Sequence, residues 1–144
     1  MSQGITKYTG IQRSNAMTRN NADFHKGKFN PQGVNDVKTS GNNYVMYSGT
    51  SKENAKKIVK DGPHESIYLT TDPSFAQEYG SHVVTFHVPK NIRTSAAGKY
   101  DPNKHDAEMD TWGNHALMLH NPSAVTAIKH GTAAKAVSEH YYGE

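Results

Sequence analysis

Apolar residues in the first 43 positions follow no period. Ile5, Ile11, Phe24, Phe29 and Val34 are scattered among Asn, Gly, Ser, Thr, Lys and Gln. Such a segment buries too little surface to repay its ordering, which predicts a polar, flexible or irregular arm over residues 1–43. Phe24 and Phe29 are the residues that would pin it to a folded body as a lid. From Tyr44 the pattern becomes regular, and residues 44–144 read as the folded domain.

Tyr44 to Ser48 predicts a short strand, and Thr50-Ser-Lys-Glu53 matches a capping box that opens a helix. Ala55, Ile58 and Val59 give that helix one apolar stripe, and Gly62-Pro63 stops it. Ser66 to Thr70 predicts a second strand, followed by an Asp72-Pro73 cap and first turn for a helix that runs through Tyr79 to Gly80. His82 to Val88 alternates, with Val84, Phe86 and Val88 on one face and Val83, Thr85 and His87 on the other. Residues 89–113 read as a long, charged loop of the length that often carries function. His115 to His120 and Ala124 to Lys129 predict two late strands around an Asn121-Pro122 turn. Thr132 caps a final helix that faces the core with Ala133, Ala136, Val137 and Tyr141. The series is a mixed α/β domain without one helix per strand, and without repeats.

Charge separates the same two regions. Residues 1–43 carry six basic and two acidic groups, whereas the other 101 carry ten basic and eleven acidic. The overall +3 therefore belongs to the N-terminal segment, where it suits contact with nucleic acid or another anionic surface. The chain has no cysteine, which excludes disulfides, thiolate catalysis and cysteine–zinc sites. No long apolar run predicts a membrane span.

The segments Tyr44-Val-Met-Tyr-Ser-Gly-Thr50, Ser66-Ile-Tyr-Leu-Thr-Thr-Asp-Pro-Ser-Phe-Ala-Gln-Glu-Tyr79 and His115-Ala-Leu-Met-Leu-His-Asn-Pro122, in this order and spacing, resemble the ADP-ribosyltransferase fold. That family includes poly-ADP-ribose polymerases, diphtheria-like toxins and small bacterial and phage effectors. The resemblance covers residues 44–130 and implies an α+β fold, a compact mixed split β-sheet with short flanking helices. It further implies NAD as a substrate and ADP-ribose transfer to a macromolecular acceptor. A toxin or effector acting in a cytoplasm, delivered there or carried in a virion, is the matching biological setting. Ser48 stands where the family has His or Arg, and His115 or Ala116 where it has the catalytic glutamate.

The resemblance gives each position a task. Ser48, Gly49, Thr50, Tyr68, Thr70 and Tyr79 would form the NAD pocket, with Tyr68 stacked on nicotinamide and Tyr79 closing the other side. Gly49 would let the backbone approach the carboxamide. Tyr68, Glu108, Asp110 and His115 are the catalytic candidates, since cleavage of a glycosidic bond needs a carboxylate near an oxocarbenium-like centre. Two further classes remain open. One is an ADP-ribosyltransferase-like body without its acid, which serves as a binding or structural module. The other is a ribonuclease in which His115 or His87 works with Lys90, Lys129 and Tyr68 by general acid–base chemistry. The nine histidines show no metal-type spacing, because His82 and His87, like His115 and His120, fall on opposite faces of their strands. No metal is expected.

Overall fold

A computed structural model describes residues 27–31, 37–111 and 113–143. It shows an α+β fold: an open, mixed sheet of eight strands with three short helices. In chain order the elements are β1 (Lys38–Ser40), β2 (Asn43–Thr50), α1 (Lys52–Asp61), β3 (Ile67–Thr70), α2 (Pro73–Ala76), β4 (His82–Pro89), β5 (Thr94–Ser95), β6 (Ala107–Asp110), β7 (Gly113–Leu119), β8 (Thr126–Thr132) and α3 (Ala133–Tyr142). A turn of 3₁₀ helix, Gln77–Tyr79, extends α2, and another, Pro122–Ala124, precedes β8.

The strand order is β5-β6-β7-β3-β2-β4-β8, with β1 paired to β2. All neighbours are antiparallel except β5 and β6. The sheet is nearly divided at its centre. β2 and β3 share the single pair Tyr47–Thr70, whereas β2 and β4 stay paired from Asn43–Pro89 to Thr50–His82. Beyond Tyr47 and Thr70 the two central strands diverge, and the opening between them is the cleft described below.

Side-chain alternation sorts the core. Met46, Phe86, Val84, Val88, Leu69, Leu117, Leu119, Ala107 and Met109 gather on one face beneath Ala55 and Ile58 of α1. Tyr47 and Val83 face the other way and meet Ala76 of α2 and Ala136 of α3. The alternation expected for residues 82–88 is thus realised, with Val84, Phe86 and Val88 in the first cluster and Val83 in the second. α1 packs on β4 and β8, α2 on β2 and β3, and α3 on β4 and β8.

Several local expectations shift. Ser51, rather than Thr50, caps α1: its side chain accepts from the Asn54 N–H, because Thr50 is still held in β2 opposite His82. Gly62, with φ of 82°, ends the helix, a conformation that suits glycine. The segment expected as a loop over 89–113 contains β5 and β6. Ala107 and Met109 are buried while Glu108 and Asp110 are only half-buried, so four residues suffice for a strand when β7 supplies the partner. In the N-terminal segment, Lys38–Ser40 pairs with β2, and Phe29 is buried in the main core edge-on to the Tyr44 ring. Phe24 and the basic residues Lys7, Arg13, Arg19 and Lys26 lie outside the described residues. No helix among the described residues is long and apolar enough to cross a membrane.

Candidate functional site

The divergence of β2 from β3 leaves an open cleft of about 210 Å³ lined by Ser48, Gly49, Thr50, Asn54, Ile58, Ser66, Ile67, Tyr68 and Tyr79. Two strand ends, the first turns of α1 and the 3₁₀ turn after α2 supply these residues. Five of the six residues expected to hold a nucleotide meet here. Thr70 does not. It is fully buried, and its Oγ1 accepts from the Asp72 N–H, so it helps to fix the start of α2.

Gly49 has a structural reason of its own. A Cβ there would run into the Ala76 carbonyl oxygen, so the glycine lets the end of α2 press against β2. Gly80 serves the same packing, since its Cβ would meet the Thr50 backbone. These two contacts carry Tyr79 over the cleft. The Tyr79 ring lies 5.4 Å from that of Tyr68 at 49°, and the residue is 63% exposed. A flat ring sandwiched between two others needs about 7 Å from ring to ring, twice the van der Waals spacing. The two tyrosines therefore touch, and a ligand ring enters only when exposed Tyr79 swings away.

Of the four catalytic candidates, Asp110 and His115 converge beside Tyr68. Its hydroxyl donates to Asp110 Oδ2 at 3.4 Å, and His115 Nε2 is 3.9 Å from the same oxygen. His115 is buried, with its ring 5.4 Å from that of Phe75. The register explains this approach. β6 and β7 run in step as far as Met109–Leu117, and then Asp110 pairs with Gly113, which leaves residues 114–116 in a bulge. A bulge re-aims side chains locally. This one accommodates His115 next to Asp110.

Glu108 goes elsewhere. It sits opposite Met118, which sits opposite Tyr68, so all three share a face of the sheet. Its Oε1 meets His120 Nε2 at 2.8 Å, and Oε2 accepts from the Gly98 N–H at 2.8 Å. The Gly98 N–H and then His120 hold the Glu108 carboxyl below the usual glutamate range, against the opposing effect of partial burial. Glu108 and Asp110 are thus not an acid pair acting at one point. On the other side of the His120 ring, Nδ1 lies 2.9 Å from Ser66 Oγ. In the sequence Ser66 and His120 stand at the ends of two predicted strands, and neither is a catalytic candidate there. Their positions flank the Ile67–Leu119 pair, so the antiparallel register of β3 and β7 would have revealed the contact.

The histidine–lysine arrangement considered for RNA cleavage is dispersed. His87 is on β4 and His115 on β7, with β3 and β2 between them in the sheet. Lys129 Nζ is engaged by Glu139 at 2.9 Å, and Lys90 Nζ stands 5.8 Å above the Tyr44 ring. Among the described residues no group of three or more His, Asp or Glu side chains is arranged to hold a metal. No protein-family model matches the sequence, and comparison with curated proteins finds no match.

Proposed function

We propose that the chain is an ADP-ribosyltransferase-like protein that binds NAD in the cleft between β2 and β3 and transfers ADP-ribose to a macromolecular acceptor. The observation that carries this reading is the Asp110 carboxylate 3.4 Å from the hydroxyl of Tyr68, a cleft-lining ring. Asp110 takes the part of the carboxylate that accepts from the ribose 2′-hydroxyl and offsets the positive charge developing at C1′. His115, 3.9 Å from the same oxygen, is the positioning residue for that carboxylate. Tyr68 and Tyr79 hold nicotinamide between them once Tyr79 has moved. A cleft of about 210 Å³ is smaller than the roughly 300–1,000 Å³ of whole small-molecule sites, so it suits the nicotinamide-ribose end alone. The remainder of the dinucleotide lies over the neighbouring hollow lined by Lys57, Gly62, Pro63 and His64, which shares Asn54, Ile58 and Ile67 with the cleft. Lys57 there offers a positive charge that Ser48 does not, although the Glu65 carboxylate lines the same hollow.

The test is nicotinamide release, together with labelling of lysate macromolecules by radiolabelled NAD. Asp110→Asn should lower turnover by about 10²–10³-fold, the scale seen when one transition-state contact is removed. Tyr68→Ala should abolish turnover, and Tyr79→Ala should chiefly raise KM. Full activity in Tyr68→Ala would sink the reading. The contact between Tyr68 and Tyr79 favours a second one, a nucleotide-binding module without catalysis. Saturable NAD binding that Tyr68→Ala removes, with no nicotinamide released by the parent protein, selects the module.

A further inference from the structure

We propose that Ser66, His120 and Glu108 form a nucleophilic relay that opens into the cleft and cleaves short carboxylic esters. Ser66 Oγ is 2.9 Å from His120 Nδ1, and His120 Nε2 is 2.8 Å from Glu108 Oε1. Both separations lie within the roughly 2.6–3.2 Å reach expected of a nucleophile, its base and the group that orients the base. The carboxylate is fixed from its other side by the Gly98 N–H, and the Tyr100 ring lies 4.3 Å from the imidazole ring. The Glu108 carboxylate accepts only, so the tautomer of His120 that serves the relay carries its proton on Nε2 and turns the Nδ1 lone pair to the Ser66 hydroxyl. The relay is placed for substrate, because Ser66 is exposed and lines the same cleft as Ile58 and Ile67. The inference does not depend on the NAD reading.

The chemistry balances without any further reactant but water. Ser66 Oγ attacks the ester carbonyl carbon and passes its proton to His120 Nδ1. Collapse of the tetrahedral intermediate breaks the ester C–O bond, and the departing alcohol takes that proton. Water then attacks the acyl carbon and gives a proton to Nδ1. The acid leaves as Ser66 Oγ recovers the proton. Asn54, which lines the cleft and gives one amide hydrogen to Thr50 Oγ1 at 2.8 Å, has a second amide hydrogen for the developing oxyanion.

Two measurements test the relay. The intact protein is treated with a fluorophosphonate and, separately, with p-nitrophenyl acetate. The expected result is one adduct on Ser66 by peptide mass spectrometry and ester turnover that Ser66→Ala removes. His120→Gln should lower kcat by about 10²–10⁴-fold. Glu108→Gln should lower kcat by about tenfold or more while leaving KM in place, a split that loss of a structural contact alone would not give. The second measurement exploits the lack of native cysteine. In Ser66→Cys the single thiol should react with iodoacetamide with a midpoint well below the ordinary thiol value of about 8.5, and adding His120→Gln should restore that value. An adduct at another residue, no adduct at all, or an unshifted thiol midpoint in Ser66→Cys overturns the proposal.

Discussion

At the scale of single residues, carboxylates set the character of this protein, and each has a different set of partners. Asp72 is fully buried, accepts from the Ser74 N–H and hydroxyl, and receives the Tyr141 hydroxyl at 2.6 Å, so it ties α2 to α3. Nearby burial, then the charges of Asp72 and Glu139, push the Tyr47 hydroxyl well above its ordinary value, so it remains a neutral partner of His140 Nδ1 at 2.7 Å. Asp106 accepts from Arg93 through Nε at 3.2 Å and Nη2 at 3.0 Å and from Asn121 at 2.8 Å. Arg93 lowers the Asp106 pKa most, burial opposes it, and Asn121 adds to the lowering. A lowered native pKa means that the unfolded chain binds more protons in that range, so stability from Asp106 is present above the ordinary aspartate value and lost as pH falls through the native one. Urea unfolding between about pH 6 and 2 should show that Asp106→Asn flattens the acid loss of stability below about pH 4. An unchanged acid limb would show that Asp106 is not the titrating group.

At the scale of elements, close packing at two glycines shapes the cleft. Gly49 admits the end of α2 against β2, and Gly80 returns the chain beside Thr50. A methyl group on Gly49 meets backbone, which cannot rotate aside as a side chain can. Gly49→Ala should therefore cost about 1–3 kcal/mol, the usual range for overpacking, and should displace Tyr79 from Tyr68. Thermal denaturation reads the first effect and tyrosine fluorescence the second. A variant as stable as the parent would show that α2 stands farther from β2 than this geometry requires. The helix caps were legible in sequence because they are local: Asp72 accepts from Ser74 and Thr132 from Lys135, both as expected. The displaced cap of α1 was not, because the length of β2 depends on pairing with β4 as far as Thr50–His82.

On the scale of the whole molecule, the sheet forms two halves joined through Tyr47 and Thr70. The shared apolar layer beneath α1 runs across both halves and offsets that narrow join. Phe29 belongs to this layer although its neighbours in sequence are polar. Phe29→Ala should lower unfolding free energy by about 3–5 kcal/mol, the cost of removing a buried aromatic side chain. Chemical denaturation at neutral pH gives the value, and a loss below about 1 kcal/mol would detach residues 27–31 from the fold's energetics.

The sequence by itself determined the elements with strong local grammar: the apolar stripe of α1, the alternating β4, the glycine stops and the final helix. The resemblance grouped Ser48, Gly49, Thr50, Tyr68, Thr70 and Tyr79 in one pocket, and all of them but the buried Thr70 line the cleft. Periodicity and capping depend on neighbours within a turn or a pleat, so a linear reading reaches them. Tertiary structure decided the strand order, the strand status of Ala107–Asp110 and the separate fates of Glu108 and Asp110. Those outcomes depend on partners far away in the chain, 42 positions for Tyr68 with Asp110 and 54 for Ser66 with His120. Register across β3, β7 and β6 selects such partners, and it is fixed only once these strands lie side by side with one face buried.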